Sequence, residues 1–378
     1  MKKRFTLKLI AACAISMSAG LALAQDVIKI ANIVELSGGG ATAGTNFKNG
    51  VELAVKEINA SGGILGKKIQ TTTADTQSNP GVAKGLTQKA VDNDVFAIFG
   101  PVFSGSIMVS MAESKRGETP NFTGGEASSI TQQGNLWVFR TAFGQSVSFP
   151  KVARYINGKS KKLAVLYVNN DFGKGGQAAI KQLLANSPTQ IVAEISTESG
   201  QVDFSAAVIQ AKQSGADALF AYTNEEESAR LLRELRKQAW NKPVIGETVL
   251  TSAKVVELAG EAANGAVAHV GLTVEAPQLQ AWGKKYQAAY NTTSDHNGVK
   301  GYTAVYVLKA AIEKSGKVDR KAAAAAIRNS CFTAKQYPGV LMDVCFDDKG
   351  DIDRESFITE IRNGKTVVAE TLPPMNKK

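Results

Sequence analysis

The chain has 378 residues, with 44 basic and 34 acidic residues and a hydrophobic fraction of 44%. Its basic residues are spread along the chain rather than clustered, which argues against a binding surface for nucleic acid or for a membrane. With two histidines and three cysteines, the sequence offers little material for a metal centre or for nucleophilic catalysis.

The N-terminus carries the pattern of an export signal. Four basic residues in the first eight positions precede an apolar stretch from Leu9 to Leu23, which ends in the small-x-small motif Ala22-Leu23-Ala24. We therefore expect cleavage after Ala24 and a periplasmic mature protein, which loses those four positive charges from the formal net charge of +10. The apolar stretch is shorter than the roughly 20 residues that span a bilayer. A lipoprotein box ending at Cys13 is disfavoured, because the apolar region before it is too short.

From residue 27 onward, short apolar runs alternate with amphipathic helical stretches. The first series predicts strands at 27–33, 68–74 and 95–99 and helices at 47–58, 81–91 and 106–115. After an irregular stretch at 143–148, the second series predicts strands at 163–168, 190–195, 218–222 and 244–246, each followed by a helix. Alternating strands and helices indicate parallel sheets covered by helices on both faces. We therefore expect two α/β lobes with a cleft between them.

The C-terminal part contains helices and then turns strand-like. Helices are predicted at 277–290, 298–315 and 322–328, and strands at 339–346, 357–361 and 366–369, with a turn at 347–350. The last two strands flank Asn363-Gly364, a dipeptide that favours a hairpin turn. Cys331 and Cys345 are the cysteines of the mature chain, and an even pair in an exported protein predicts a local disulfide. No histidine lies near them in the sequence, which disfavours a metal pair.

Two glycine-rich turns superficially suggest nucleotide binding. The segment from Gly38 to Ala43 fits a dinucleotide-binding turn, but the acidic residue expected at the end of the next strand is missing. The segment from Gly100 to Ser106 has P-loop glycine spacing without the lysine that contacts phosphates. This turn still joins a strand to a helix N-terminus, which suits either a bound carboxylate or simple capping by Ser104 or Ser106. Neither segment therefore supports a nucleotide cofactor.

Glu247 follows a predicted strand, at the edge where ligands bind in open α/β sheets. The same position is also compatible with a helix cap or a surface residue. No G-x-S-x-G elbow, H-E-x-x-H zinc motif or EF-hand loop occurs. We therefore expect a binding protein without catalytic residues, metal or cofactor.

The order of the motifs resembles the branched-chain-amino-acid type of substrate-binding proteins of ABC importers, the Leu/Ile/Val-binding family. The likeness covers essentially the whole mature chain, and its most specific part is the Asn-x-x-Gly-Gly-Ile-x-Gly run from Asn59 to Gly66. Further landmarks are Ile28–Ala31, Leu36–Gly38, Gly50–Ala54, Asp75, Asn79-Pro80, Ile98–Pro101, Asn170–Gly173, Asp203-Phe204, Gly301–Ala304 and Phe346–Gly350.

The resemblance implies the type I periplasmic binding protein fold, in which two doubly wound parallel-sheet lobes are joined by a three-strand hinge and close on a ligand. On this basis we expect lobe 1 to comprise 25–142 and 272–350, and lobe 2 to comprise 143–271 and 351–378. The partners implied are an amino acid or an analogue and an ABC permease of the inner membrane, with the binding protein acting as a monomer. Binding of an amide or an aromatic acid by the same fold, or ligand sensing for a membrane receptor, remains the alternative.

The resemblance also implies roles for individual residues. The ligand carboxylate is expected at Ser104 and Gly105, with the turn at Gly124 and Glu126 beside it. Glu247 is expected to pair with the ligand ammonium, while Phe172 and Asn224 contact the ligand from lobe 2. Three positions depart from the family pattern: Glu126 replaces a small hydroxyl residue, and Ala43 and Asn224 replace aromatic residues. These departures predict a larger, amide-bearing or cationic ligand rather than a leucine-like one.

Overall fold

The structure is a computed structural model that describes residues 27–273 and 276–375. The predicted signal segment and Cys13 lie outside the described residues. Across these described ranges, no helix is both long and apolar enough to cross a bilayer.

The first lobe contains a parallel sheet with the strand order β2-β1-β3-β4-β5. Its strands β1 to β5 are Ile28–Val34, Ile69–Asp75, Ala97–Phe99, Asn121–Thr123 and Val138–Arg140. Helices α1 to α4 connect these strands and are Ala41–Ala60, Pro80–Asp92, Ser104–Arg116 and Ser129–Gln132. The sequence predicted β1 to β3 but missed β4 and β5. All of β3 to β5 have three residues, but β3 lies within the five-residue apolar run 95–99, whereas β4 has a single apolar residue, Phe122, and β5 ends in Arg140.

The second lobe contains a mixed sheet with the order β14-β13-β10-β9-β8-β6-β7. The parallel strands β6 to β10 are Lys162–Val168, Gln190–Thr197, Ala218–Tyr222, Val244–Glu247 and Ala266–Val270. Helices α5 to α9 are Gln145–Asn157, Asp171–Leu184, Ser205–Gln213, Glu225–Lys237 and Ala253–Ala259. The stretch at 143–148 was predicted to be irregular, but helix α5 begins at Gln145 and continues through Pro150. Strand β10 was also not predicted from the sequence.

The chain then returns to the first lobe and finally to the second. Helices α10 to α12 are Pro277–Tyr290, His296–Ser315 and Arg320–Ile327, and α11 packs along α1. A small ladder follows, with β11 at Cys331–Phe332 and β12 at Val344–Cys345. The antiparallel strands β13 and β14, Ser356–Arg362 and Lys365–Leu372, form the hairpin predicted around Asn363-Gly364.

Three connections join the lobes: β5 to α5, β10 to α10, and β12 to β13. We propose that the lobe boundaries lie within these connections. This arrangement of parallel sheets in two lobes confirms the predicted fold class. Since each connection is a single pass of the chain, the lobes can rotate relative to one another at a few backbone positions.

The inner strands of both sheets are mostly apolar because helices cover both faces, whereas the edge strands β2, β7 and β14 carry polar residues and are partly exposed. In β1, Ile28 and Ile30 belong to the core shared with α1 and α11, while Ala31 and Ile33 belong to a second core on the opposite face. In the second lobe, successive β6 residues likewise alternate between two cores. The near-continuous hydrophobic runs in the sequence therefore indicate buried parallel strands.

The segment before Cys345 corrects one prediction. A strand was expected at 339–346, but regular pairing is confined to Val344 and Cys345. Gly339 lies against the ring of Tyr306, where an added Cβ would come within 2.0 Å of ring atoms, so the chain crosses this helix instead of pairing. The structure joins Cys331 and Cys345, which face each other across β11 and β12, in the predicted disulfide.

Candidate functional site

A cavity of about 430 Å³ lies between the lobes, at the carboxyl ends of their parallel strands. Connections that follow β2, β3 and β4 line it from the first lobe, and connections that follow β6, β7 and β8 line it from the second. The cavity brings together six residues predicted from the sequence: Ser104, Gly105, Gly124, Glu126, Phe172 and Asn224.

The N-termini of five helices converge on this cavity. The residues that begin them all line the cavity: Pro80 of α2, Ser104 of α3, Asp171 of α6, Glu225 of α8 and His296 of α11. A helix N-terminus carries unpaired N–H groups and a partial positive charge, so it stabilises a nearby anion. Three of these helices have an acidic residue of their own at this end, because α6 begins with Asp171, α8 with Glu225, and α11 is capped by Asp295. The first turns of α2 and α3 contain no acidic residue, but α2 is capped by the Asn79 side chain, whereas α3 has no side-chain cap.

A glycine turn positions the N-terminus of α3. Gly100 follows β3 with a φ of +92°, and a Cβ at this position would lie 2.1 Å from the carbonyl oxygen of Ile33. Behind the turn, the buried carboxylate of Glu35 accepts hydrogen bonds from the N–H groups of Val102 (3.0 Å) and Phe103 (3.2 Å). Burial raises the pKa of Glu35. Glu35 holds the residues before α3, which leaves the first-turn N–H groups of the helix facing the cavity.

Ser104 connects this helix to the neighbouring turn. Its Oγ accepts a hydrogen bond from the N–H of Ala127 at 3.2 Å. A serine hydroxyl that accepts one bond retains its own hydrogen to donate. Ser104 is thus fixed by the Gly124–Ala127 turn and can still donate to a ligand oxygen.

Glu126 is paired inside the cavity wall. Its Oε1 lies 3.1 Å from Nζ of Lys300, which also donates to the carbonyl oxygen of Gly124 at 3.3 Å. The hydroxyl of Tyr222 donates to Oε2 at 3.4 Å. Burial raises the pKa of Glu126, and the charge of Lys300 opposes that rise. The carboxyl group of Glu126 is therefore paired with a cation of the protein itself.

Phe172 and Asn224 face the cavity from the second lobe. The Phe172 ring stacks on Tyr222 with a centroid distance of 4.0 Å. Asn224 caps α8, and its side chain is engaged by Glu227, whose carboxylate accepts from both the N–H and Nδ2 of Asn224 at 2.9 Å. Phe172 thus presents an apolar surface, whereas Asn224 is held as a helix cap.

The two lobes touch across the opening of the cavity. Oγ1 of Thr42 donates to Oε1 of Glu226 at 2.6 Å. Gly105 packs so closely against α6 that an added Cβ would lie 2.9 Å from a carboxylate oxygen of Asp171. These contacts describe a closed arrangement of the lobes.

Glu247 lies outside the cavity lining and is satisfied by its own surroundings. Its Oε1 lies 2.5 Å from Nδ1 of His269, and its Oε2 accepts from the N–H (2.7 Å) and hydroxyl (2.8 Å) of Thr248. Burial alone would raise the pKa of Glu247, but His269 and the Thr248 hydrogen bonds lower it. Its charge acts on Glu126 and Tyr222, so Glu247 lies behind the wall that these two residues form.

Three buried residues that meet where the two lobes come together beside the cavity were not predicted from the sequence. Glu225, Asp295 and His296 bring one ligating atom each to within 4.8 Å of one another. Glu225 lies at the start of α8 in the second lobe, while Asp295 and His296 lie at the start of α11 in the first. The capping pattern Asn224-x-x-Glu227 and the cap Asp295 mark helix N-termini in the sequence, but nothing in the sequence indicates that the two ends meet.

The acidic members of this group are difficult to ionise. Burial and the charge of Asp295 raise the pKa of Glu225 to about 8. Burial also raises the pKa of Asp295 to about 6, although the N–H groups of Asn297 and Gly298 donate to it. His296 is kept neutral, because burial and the nearby Lys300 lower its pKa.

A second cavity of about 960 Å³ lies on the other side of His296, between α10 and the β9–α9 region. Its lining is mainly apolar and includes Leu279 and Trp282. The convergent helix N-termini and the predicted residues belong to the smaller cavity, which we therefore take as the candidate ligand site.

Comparison with known proteins agrees with this geometry. Residues 27–366 match the family model described as periplasmic binding protein. The chain is 32% identical to the Leu/Ile/Val-binding protein BraC3 of Rhizobium johnstonii, over 97% of this chain and all of that protein. It is 26% identical to the leucine-, isoleucine-, valine-, threonine-, and alanine-binding protein of Pseudomonas aeruginosa, over 93% of this chain and 94% of that protein.

Solved structures agree with the fold. The branched-chain amino acid transporter substrate binding protein LivJ of Streptococcus pneumoniae, in complex with isoleucine, superposes with a TM-score of 0.81 at 26% identity, covering 92% of this chain and 100% of that one. A solute binding protein of an ABC transporter from R. palustris, in complex with benzoate, has a TM-score of 0.84 at 22% identity, covering 93% and 98%. The chain therefore belongs to the periplasmic binding protein family, in its branched-chain-amino-acid type.

Proposed function

We propose that this protein is the periplasmic receptor of an ABC importer, which captures an amino acid or an amino-acid-like solute between its lobes. Family membership and the cavity at the strand ends of both lobes support this function. Because groups from both lobes line the cavity, a bound solute stabilises the closed arrangement over the open one. The importer then recognises the closed receptor.

The observation that carries the proposal is the N-terminus of α3, which has neither an acidic residue nor a side-chain cap. Of the other helix ends at the cavity, three carry a carboxylate of the protein and α2 is capped by Asn79, whereas α3 offers its N–H groups and the Ser104 hydroxyl to the cavity. An anion leaving water needs such donors to offset its lost hydration. We therefore assign the ligand carboxylate to Ser104 and Gly105, with the Gly124 turn beside it.

The remaining predicted residues take supporting roles in this proposal. Phe172 offers an apolar surface to the ligand. The Glu126–Lys300 ion pair holds one charge of each sign at the cavity wall. A direct contact between Glu247 and a ligand ammonium stays a prediction, and it requires the Glu247 carboxylate to leave His269. Asn224 is proposed to act through the position it gives to the start of α8.

The cellular setting belongs to the same proposal. The signal pattern supports export with cleavage after Ala24, and N-terminal sequencing of the mature protein tests it. We propose that the receptor acts as a monomer, with an inner-membrane permease as its partner and no catalytic step. Size-exclusion chromatography with light scattering tests the oligomeric state.

A thermal-shift screen tests the function. Refolded, ligand-stripped protein is screened against neutral and basic amino acids, amides, polyamines and aromatic acids. A ligand that binds the folded state alone, at a hundred times its dissociation constant, adds about 2.7 kcal/mol of stability. We expect this shift with an amino-acid class.

The other outcomes are equally informative. A shift confined to amine-free aromatic acids or amides would retain the receptor but reject the amino-acid ligand. No shift with any compound in the panel would reject the proposed function itself.

A further inference from the structure

One side-chain cluster at the edge of the cavity is not accounted for by the binding of a carboxylate: Glu225 and His296 line the cavity, and Asp295 lies beside them and lines the larger cavity. Glu225, Asp295 and His296 lie within 4.8 Å of one another and are at least nine-tenths buried. Nδ1 of His296 is buried and has no hydrogen-bond partner. Two carboxylates and a neutral imidazole thus present three acceptor atoms to one small volume.

Among the residues that the structure describes, no cation is paired with this cluster. Within the described ranges, no lysine or arginine lies within ion-pair distance of Glu225 or Asp295. Lys300 is close enough to affect both carboxyl groups, but its Nζ is bonded to Glu126 and to the carbonyl oxygen of Gly124. The carboxylate charge of the cluster is therefore left without a partner.

A count of the charged side chains that line the cavity also singles out Glu225. Its lining contains three carboxylates, on Glu126, Asp171 and Glu225, and two lysines, Lys174 and Lys300. Asp171 and Lys174 are exposed at the rim, and Glu126 is paired with Lys300. Glu225 is thus the carboxyl group inside the cavity that has no cation beside it, with Asp295 directly behind it.

We propose that Glu225, Asp295 and His296 form a cation subsite that receives a positively charged nitrogen of the solute. This inference rests on the proposed function, because it names the second recognition element of the same cavity. A primary ammonium group has three N–H donors, which match the three acceptors of the cation subsite. The nitrogen is either the α-ammonium group or an amine on the solute side chain.

The surroundings favour an organic cation over a metal ion. Asp295 already accepts hydrogen bonds from Asn297 and Gly298. Glu225 and His296 also open directly into the cavity that holds the solute.

The position of the cation subsite couples recognition to closure. Glu225 belongs to the second lobe, whereas Asp295 and His296 belong to the first. The three acceptors therefore meet when the lobes close. A solute that supplies the missing positive charge stabilises this closed arrangement, and a solute without it leaves two carboxyl groups buried together.

The test uses compounds that differ in one amine. Ligand-free full-length mature protein is titrated with leucine and 4-methylpentanoate, which differ at the α-ammonium group, and with lysine and norleucine, which differ at the side-chain amine. We expect the wild type to prefer the amine-bearing member of at least one pair. In Glu225→Gln, that member should bind about tenfold or more weakly, since a charge-assisted hydrogen bond is lost. The pair that loses its preference identifies which nitrogen occupies the cation subsite.

Three further variants accompany this test, as a control or as a second measurement. Glu226→Gln removes the same charge one residue away and should weaken both members of a pair equally, because Glu226 contacts Thr42 rather than the cation subsite. His296→Gln provides a second test of the cluster should Glu225→Gln fold poorly. Glu247→Gln separates the two assignments of the ammonium group, because loss of the amine preference in this variant would place the ammonium at Glu247 instead of the cation subsite.

Several results would overturn the inference. The first is an amine preference that stays unchanged in both Glu225→Gln and His296→Gln. The second is an amine preference that disappears in Glu247→Gln instead. The third is stoichiometric Zn²⁺ or Ca²⁺ binding that depends on Glu225. In each case carboxylate-bearing solutes still bind, so the proposed function survives. Failure of every compound to bind would reject both.

Discussion

Two carboxylates in the same cavity differ in how their charge is met. Glu126 on the first-lobe wall lies 3.1 Å from the ammonium group of Lys300. Glu225 on the second-lobe wall is equally buried but faces Asp295 and a neutral histidine. Burial raises the pKa of both groups, yet a lysine opposes the rise at Glu126, whereas a second carboxyl group adds to it at Glu225.

This difference separates the structural part of the cavity from the part that depends on a ligand. A buried ion pair is complete within the protein, and removing one member leaves an uncompensated charge. An unpaired buried carboxyl group is costly in the empty protein and is relieved when a cation binds. The wall at Glu126 is thus expected to control stability, and the wall at Glu225 is expected to control binding.

The largest effect is expected from Lys300→Met. This substitution turns Glu126 into an unpaired carboxylate like Glu225 and should lower the free energy of unfolding by about 3–5 kcal/mol. Urea denaturation at neutral pH measures this change. The double variant Lys300→Met/Glu126→Gln should recover part of the loss, and a single variant as stable as the wild type would contradict the structural role of the pair.

The next prediction concerns pH. The pKa of Glu225 is about 8 in the folded protein and near its ordinary value of 4.5 in the unfolded chain, so the folded state binds the proton more tightly. Its contribution to stability therefore falls as pH rises from about 4.5 to about 8, by up to about 1.4 kcal/mol per pH unit. Glu225→Gln lacks this titration, so its stability advantage over the ligand-free wild type should grow from pH 5 to pH 8.

Paired urea titrations of the two proteins across this range measure that difference. A saturating amine-bearing ligand should reduce the pH dependence of the wild type, because binding of the cation favours ionised Glu225. A constant difference between wild type and variant would show that Glu225 does not titrate in this window.

A smaller effect is expected on the carboxylate side of the cavity. Ser104→Ala removes a hydroxyl that can donate to the ligand, and it should weaken binding of any carboxylate-bearing solute by about 1–3 kcal/mol. Isothermal titration with both members of an amine pair measures it. Equal losses for both members are expected, whereas a loss restricted to the amine-bearing member would contradict the assignment of the carboxylate to α3.

The smallest effect is expected at the contact between the lobes. Thr42→Val removes the hydrogen bond to Glu226 but leaves every cavity charge in place. Affinity should fall by about 1 kcal/mol for all solutes alike, because one polar contact of the closed arrangement is lost. Titration of the variant checks this. An effect that depends on the charge of the solute would show that Thr42 contacts the ligand directly.

Much of the fold could be predicted from local patterns. Apolar runs such as Leu163–Val168 predict buried strands because both faces of a parallel sheet are covered. The Asn363-Gly364 turn predicts the final hairpin because it suits the strand twist. The strands β4 and β5 were not predicted, because polar residues such as Asn121, Thr123 and Arg140 interrupt their apolar pattern, whereas the equally short β3 lies in an uninterrupted apolar run.

The sequence by itself determined the alternation of strands and helices, the family, and the placement of Ser104 and Phe172 after strands, whereas Gly124 was indicated by the family resemblance alone. These features depend on residues close in sequence. The tertiary structure decided which charges meet: Lys300 reaches Glu126 across 174 positions, and Glu247 is paired with His269 rather than facing the cavity. Electrostatic pairing depends on distance in space and on burial, and neither is encoded in a local pattern. The opposition of Glu225 to Asp295 and His296 therefore emerges when the two lobes come together.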